Sequence, residues 1–271
     1  MTDTLLADVR RALRLPYTPE PLARLAEADG YLEFVWPQIA PSVETAGFFG
    51  SARYMADMAL DAVEAVYEPV LSRASLVEAG LSSSDLDALV SVIDLFHIAQ
   101  PQVLLLLAAL TEAFERDRVG GQGRPDPREA TDRERTHLAL RLELAAPSTP
   151  PLPAIVEALG VDAPPDLYRA VAAWPRYLEV AWDELQHLTA YPDFRRRGRA
   201  LYFYARSGAR FLAQPIEANP AALRAAGLGD AAIEDARAAL DAALPATAMM
   251  MMHAEAMRVS LGIRDREVVT G

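Results

Sequence analysis

The chain has 271 residues and a formal net charge of −12, and 52% of its residues are hydrophobic, enough to bury a core without disulfides or metal staples. It contains no cysteine, and all 26 basic residues are arginine, which excludes thiol nucleophiles, Cys-ligated metals, Schiff-base lysines and Walker-type phosphate loops. A negative field of this size opposes phosphate backbones and anionic bilayers, so neither nucleic acid nor membrane is an expected partner.

In chain order, the opening stretch MTDTLLADVRRALRL lacks a basic segment followed by an apolar core, and points to a cytoplasmic, soluble protein. Pro19-Glu20 opens a short helix that leads into the motif Tyr31-Leu32-Glu33-Phe34-Val35-Trp36. Ala79-Gly80-Leu81 has the form of a helix end with a left-handed glycine and a hydrophobic contact behind it. Ser84–Asp85 suits an N-cap, followed by a helical stripe of Leu86, Leu89, Val90, Ile93, Phe96 and His97. The longest unbroken apolar run, Val103 to Leu110, falls far short of the roughly 20 residues of a spanning helix.

Val119-Gly120-Gly121-Gln122-Gly123-Arg124-Pro125-Asp126-Pro127, then Pro147, Pro150, Pro151 and Pro153, break helices. They mark a linker holding a charged, partly helical piece over 129–146. Pro164-Pro165-Asp166 then opens a second short helix leading to Tyr177-Leu178-Glu179-Val180-Ala181-Trp182. Leu178, Val180, Ala181, Trp182, Leu185 and Leu188 form a second stripe. Arg195, Arg196, Arg197 and Arg199 read as a solvated helix face, Ala226-Gly227-Leu228 as another helix end, and the tail after Ile263 as frayed. Period-two alternation is scarce, so no strand is expected.

The two halves echo one another. Tyr31–Trp36 matches Tyr177–Trp182, and Ala79-Gly80-Leu81 matches Ala226-Gly227-Leu228 at nearly the same spacing. Leu86 with Ile233 and Asp94 with Asp241 keep that register. The expected architecture is therefore all-α: two tandem helical repeats forming an intramolecular pseudo-dimer with the site between them. The first repeat covers 1–118, the linker 119–153, the second repeat 154–262 and the tail 263–271.

There is no Gly-x-Ser-x-Gly elbow, dinucleotide fingerprint or phosphate loop. Glu134 with His137, and Glu184 with His187, have the spacing of a carboxylate-bridged metal bundle. Yet Glu134 sits in the charged segment TDRERTH, which reads as solvated, and the two further glutamates have no clear helices, so no metal or cofactor is expected. His253, behind the run Met249 to Met252, reads as a core or rim group. Asp166 has two readings: a cap for its own helix, or a carboxylate beside a helix N-terminus serving as a base for water. Glu20 takes the same place in the first half, so an interface joining the two helix starts holds two acids, one of which would titrate abnormally.

Four stretches together resemble the group I 2-haloacid dehalogenases: Arg14-Leu15-Pro16-Tyr17; Gly30-Tyr31-Leu32 through Trp36; Phe96-His97-Ile98-Ala99-Gln100-Pro101 into Leu104-Leu105-Leu106; and Pro164-Pro165-Asp166 to Ala173-Trp174-Pro175. The resemblance runs from about residue 10 to about residue 262. It implies an all-helical hydrolase acting on short 2-haloalkanoic acids without a cofactor. It also implies that Asp166 is the essential base, activating a water that attacks the halogen-bearing carbon directly and inverts it. Tyr17, Pro19, Glu20, Gln100, Val103, Pro164 and Pro165 then fall at substrate-binding positions.

This sequence departs from that family's pattern at several of them. Gln100 stands for an asparagine, Val103 for a tyrosine, Tyr17 for a tryptophan, Glu20 for a phenylalanine and Pro165 for a serine. Ala242 takes the place of a tyrosine in a looser register. A carboxylate at position 20 repels an anionic acid by roughly 4 kcal/mol at about 4 Å and an effective dielectric of about 20. A second function class therefore stands beside the first: a binding or regulatory protein for small molecules on the same scaffold. The expected partner is a small carboxylic acid, and homodimer formation stays open.

Overall fold

The computed structural model describes residues 2–267. Among the described residues, thirteen α-helices carry nearly all the regular structure. They are α1 (Thr2–Leu13), α2 (Glu20–Leu25), α3 (Tyr31–Val43), α4 (Ala46–Glu64), α5 (Arg73–Glu78), α6 (Ser83–Glu115) and α7 (Asp132–Leu138). The rest are α8 (Leu152–Leu159), α9 (Asp166–Val171), α10 (Pro175–Ala190), α11 (Pro192–Gly208), α12 (Pro220–Ala225) and α13 (Asp230–Ser260). The order of α2–α6, short and long helices alike, recurs in α9–α13: the paired helices start at Glu20 and Asp166, Tyr31 and Pro175, Ala46 and Pro192, Arg73 and Pro220, Ser83 and Asp230.

Local chemistry sets the boundaries. Ser82, not Ser84, caps α6, in a capping box with Asp85. Gly80 and Gly227 lie at φ 95° and 97°. Each lets the next N–H turn back, Leu81 to the Leu76 carbonyl at 3.0 Å and Leu228 to the Leu223 carbonyl at 3.1 Å. Of the second stripe, Val180 faces outward and the other five residues are buried.

The two longest helices, α6 and α13, form the largest packing contact, and α4 and α11 lie against both. Leu104 to Leu110 are shut off from solvent. By length and composition α6 is apolar enough to cross a membrane, which the unbroken run alone did not suggest, but its faces are covered by the rest of the chain. Truncating one of these leucines to alanine is expected to cost about 2–5 kcal/mol.

The linker is docked rather than free. Val119–Gly120 (β1) pairs antiparallel with Pro215–Ile216 (β2), a small strand pair that no alternation signalled because each strand has two residues. A Cβ at Gly123 would fall 1.9 Å from the Phe211 carbonyl oxygen, so only glycine permits this approach. The segment around Glu134 is solvated on one side only: Asp132, Arg135 and Thr136 are exposed, while Glu134 and His137 turn inward. Glu134 is buried and pairs with Arg128 at 2.5 Å and Arg14 at 3.2 Å.

The tail differs from the frayed end expected, as far as Glu267; residues 268–271 lie outside the described residues. Glu267 donates its N–H to Asp57 at 2.7 Å and takes Arg53 at 3.2 Å. It also faces His97 Nε2 at 3.1 Å, and Asp265 pairs with Arg258 at 2.7 Å. His97 contacts Glu255 through its other nitrogen. Burial alone would lower the His97 pKa, but Glu255 and Glu267 outweigh it and raise it to about 9. The segment thus closes a buried ion network over one turn of α6.

Candidate active site

The chain reaches the site through a strained turn. Arg14 adopts φ 56° at the end of α1, a left-handed conformation costly for a residue with a Cβ. Its guanidinium donates to the Arg128 carbonyl at 3.0 Å and pairs with Glu134, which holds the turn. The segment Leu15–Pro19 then runs inward, and Tyr17 is buried with its ring 5.4 Å from that of Phe96.

Pro19 and Pro165 occupy equivalent N-cap positions of α2 and α9, and neither helix has a side-chain cap of its own. Asp166 is therefore the first residue of its helix and does not cap it. Its Oδ2 accepts the N–H of Glu20, the first residue of α2, at 2.8 Å. The two helix starts, 146 residues apart, meet at one carboxyl group. Arg169 approaches Oδ1 at 3.4 Å.

Helix α2 also packs on α13 and α9 packs on α6, so each short helix rests on the long helix of the other half. Between them lies a cavity of about 690 Å³. Tyr17, Pro19, Glu20, Gln100, Val103, Pro165 and Asp166 all line it. Pro164 does not: it is buried one residue behind the lining, because Pro165 takes the position that faces the cavity.

Asp166 is 9% exposed. Desolvation raises its carboxyl; the Glu20 N–H and Arg169 counter this, Glu20's own charge adds to it, and the result is a pKa of about 6. Such a group is still mostly ionised at neutral pH, yet a better proton acceptor than a free aspartate. Burial raises Glu20 as well. The Gln100 amide oxygen is buried and makes no hydrogen bond within the protein, so it is available to something in the cavity.

The sequence reading missed Trp182, Gln186 and Thr189, which line the cavity from one face of α10. Their spacing of four and three residues was the available signal. Ala242 lines the wall, where a larger side chain would narrow the space.

The histidines go elsewhere. His253 is wholly buried between Tyr168 Oη at 2.6 Å and Thr189 Oγ1 at 2.9 Å, and burial lowers its pKa to about 3. It is a neutral, satisfied core group. His137 meets Asp94 at 3.1 Å, and Glu184 accepts from Tyr67 Oη and the Leu71 N–H, both at 2.5 Å. Glu184 and His137 thus serve separate structural contacts, and His187 is exposed.

An all-helical chain whose halves meet over a buried, basic carboxylate and a small cavity defines a class, and comparison with known proteins agrees with it. Residues 16–157 match the profile of the family described as halocarboxylic acid dehydrogenase DehI, and the chain belongs to that family. It is 37% identical over 96 residues to an (R)-2-haloacid dehalogenase of Pseudomonas putida, covering 34% of this chain and 31% of that protein. It is 26% identical over 207 residues to a configuration-inverting 2-haloacid dehalogenase of Pseudomonas sp. (strain 113), covering 70% of this chain and 64% of that one. The chain thus spans about a third of the first relative's length and less than two thirds of the second's.

Among solved structures, a D-2-haloacid dehalogenase mutant in complex with D-2-CPA superposes with a TM-score of 0.88 at 17% identity, covering 96% of this chain and 91% of that one. The D-2-haloacid dehalogenase complex with L-LA gives 0.84 at 18% identity, covering 95% and 91%. These likenesses establish the fold.

Proposed function

We propose that this chain is a cofactor-independent 2-haloacid dehalogenase in which Asp166 activates water. The observation that carries the reading is the Asp166 carboxyl itself: buried, raised to about 6, and facing a cavity of about 690 Å³ where the two halves meet. Family membership and the two curated relatives support the substrate class, a short 2-haloalkanoic acid.

In the proposed step, a water held beside Asp166 gives its proton to the carboxylate as its oxygen forms a bond to the 2-carbon. The carbon–halogen bond breaks with its electron pair, the halide leaves, and the carbon inverts. Gln100 offers its free amide oxygen as an acceptor for the water. Tyr17, Pro19, Val103 and Pro165 shape an apolar wall beside it. Loss of water around the carboxylate strengthens it as a base.

A single turnover in ¹⁸O-water tests this. Label should enter the hydroxy acid in the first cycle, with release abolished by Asp166→Asn. Unlabelled first-cycle product, with label later found in the protein carboxyl, would indicate an ester intermediate and refute direct attack.

Glu20 favours a second reading, a binding protein for a small molecule other than a short acid, because this acidic residue lines the same cavity. No halide release from any 2-haloacid by a folded protein would select it.

A further inference from the structure

The arginine run of α11 reads from sequence as a solvated face. In the structure, Arg195 stands where two cavities adjoin. It lines the candidate active site and also a second cavity of about 480 Å³ between α11 and α13. Pro245 and Met249 are shared by the two linings as well. Arg199, one helical turn beyond Arg195, lines the second cavity alone.

The charges around these cavities are unevenly committed. Two arginines line the first, Arg24 and Arg195, and Arg24 is held by Asp162 at 3.2 Å. Among the described residues, Arg195 and Arg199 make no side-chain ion pair or hydrogen bond. The acids present are Glu20, Asp162 and Asp166 in the first cavity and Asp241 in the second. The two uncommitted cations thus follow one another along α11, Arg199 in the second cavity and Arg195 where the cavities join.

A molecule with a net charge of −12 repels an anion at long range, so a carboxylate needs a local positive path to a cavity that itself holds acids. We propose that the second cavity is an antechamber for short carboxylate anions, in which Arg199 and then Arg195 draw the carboxylate toward the active cavity. This rests on the dehalogenase reading for the identity of the substrate, but not for the binding of a carboxylate. The arginines act on capture and make no contact with the reacting carbon.

The experiment has a kinetic and an equilibrium arm. Halide release from 2-chloropropionate is followed against salt for wild type, Arg195→Gln, Arg199→Gln and the double variant. Arg196→Gln is the control: it lies on the same helix, pairs with Asp193 at 3.1 Å and lines neither cavity. One unit charge at about 5 Å in water corresponds to about a fourfold effect, so kcat/KM should fall by about that factor for each arginine, mainly through KM. The double variant should lose most of the salt dependence, while Arg196→Gln keeps it. Equal effects of Arg195→Gln and Arg196→Gln would overturn the proposal.

In the second arm, propionate is titrated into ¹⁵N-labelled protein and the side-chain signals of Arg195 and Arg199 are followed. Saturable shifts are expected, and their absence overturns the antechamber. Propionate binding at these arginines without turnover of any haloacid would sink the dehalogenase reading and leave the antechamber standing. Turnover indifferent to both arginines would do the reverse.

Discussion

Replacing Asp166 by asparagine should cut turnover sharply and stabilise the fold together. The carboxyl is buried, and its pKa rises from 3.8 to about 6. At 1.36 kcal/mol per unit, holding it ionised at pH 7.5 costs the folded state about 3 kcal/mol. Asparagine still accepts the Glu20 N–H through its amide oxygen, while Arg169, partly exposed, loses a contact worth under about 1 kcal/mol. The variant should therefore be about 2 kcal/mol more stable at pH 7.5.

The folded state holds this proton more tightly than the unfolded chain. Wild type consequently gains stability as pH falls from about 7 to about 4, and the advantage of the variant fades over that window. Loss of the base should lower kcat by a factor of about 10² to 10⁴. Urea unfolding followed by circular dichroism at pH 7.5 and 4.5, beside halide release, measures both effects. An asparagine variant no more stable than wild type at pH 7.5, or one with wild-type turnover, would refute the reasoning.

Glu20→Gln removes a charge that raises Asp166, so the acid limb of the pH–rate profile should move to lower pH and KM for an anionic acid should fall; an unmoved limb and KM would contradict this. His97, raised to about 9, contributes about 3 kcal/mol that is fully present below about pH 6.5 and lost as pH rises through 9. His97→Gln should flatten that loss in urea unfolding between pH 7 and 10, and a variant with the wild-type slope would argue against a charged His97. Tyr168→Phe leaves His253 Nδ1 buried without its partner and should cost about 1–2 kcal/mol by denaturant midpoint, whereas an unchanged midpoint would mean that the bond contributes nothing.

The sequence disclosed whatever is local or periodic. Apolar spacing of three and four gave helices in place, and Gly80 and Gly227 ended theirs for the reason that a left-handed residue needs no Cβ. Pairing Glu20 with Asp166 by register located the place where two helix starts meet. What stayed hidden depends on partners distant in sequence. Nothing near Glu267 announces His97, 170 residues away, nor does the charged run around Glu134 announce that Arg14 and Arg128 wait to bury it. Pro164 and Pro165 look alike in a sequence, and only the backbone path decides which one faces the cavity. Charge runs are equally silent: Arg195 and Arg196 are neighbours, yet one borders two cavities and the other pairs with Asp193.

The crossing of α2 onto α13 and of α9 onto α6 has a consequence for how such a site can change. The acid arrives on one half, while the loop from Tyr17 to Glu20 that confronts it arrives on the other. On the proposed reading, a lineage can therefore redraw the ligand's outline by altering Tyr17 to Pro19 on one half while Asp166 is inherited on the other, a division of labour that lets selectivity drift until it touches Glu20, whose N–H and charge tie the two together.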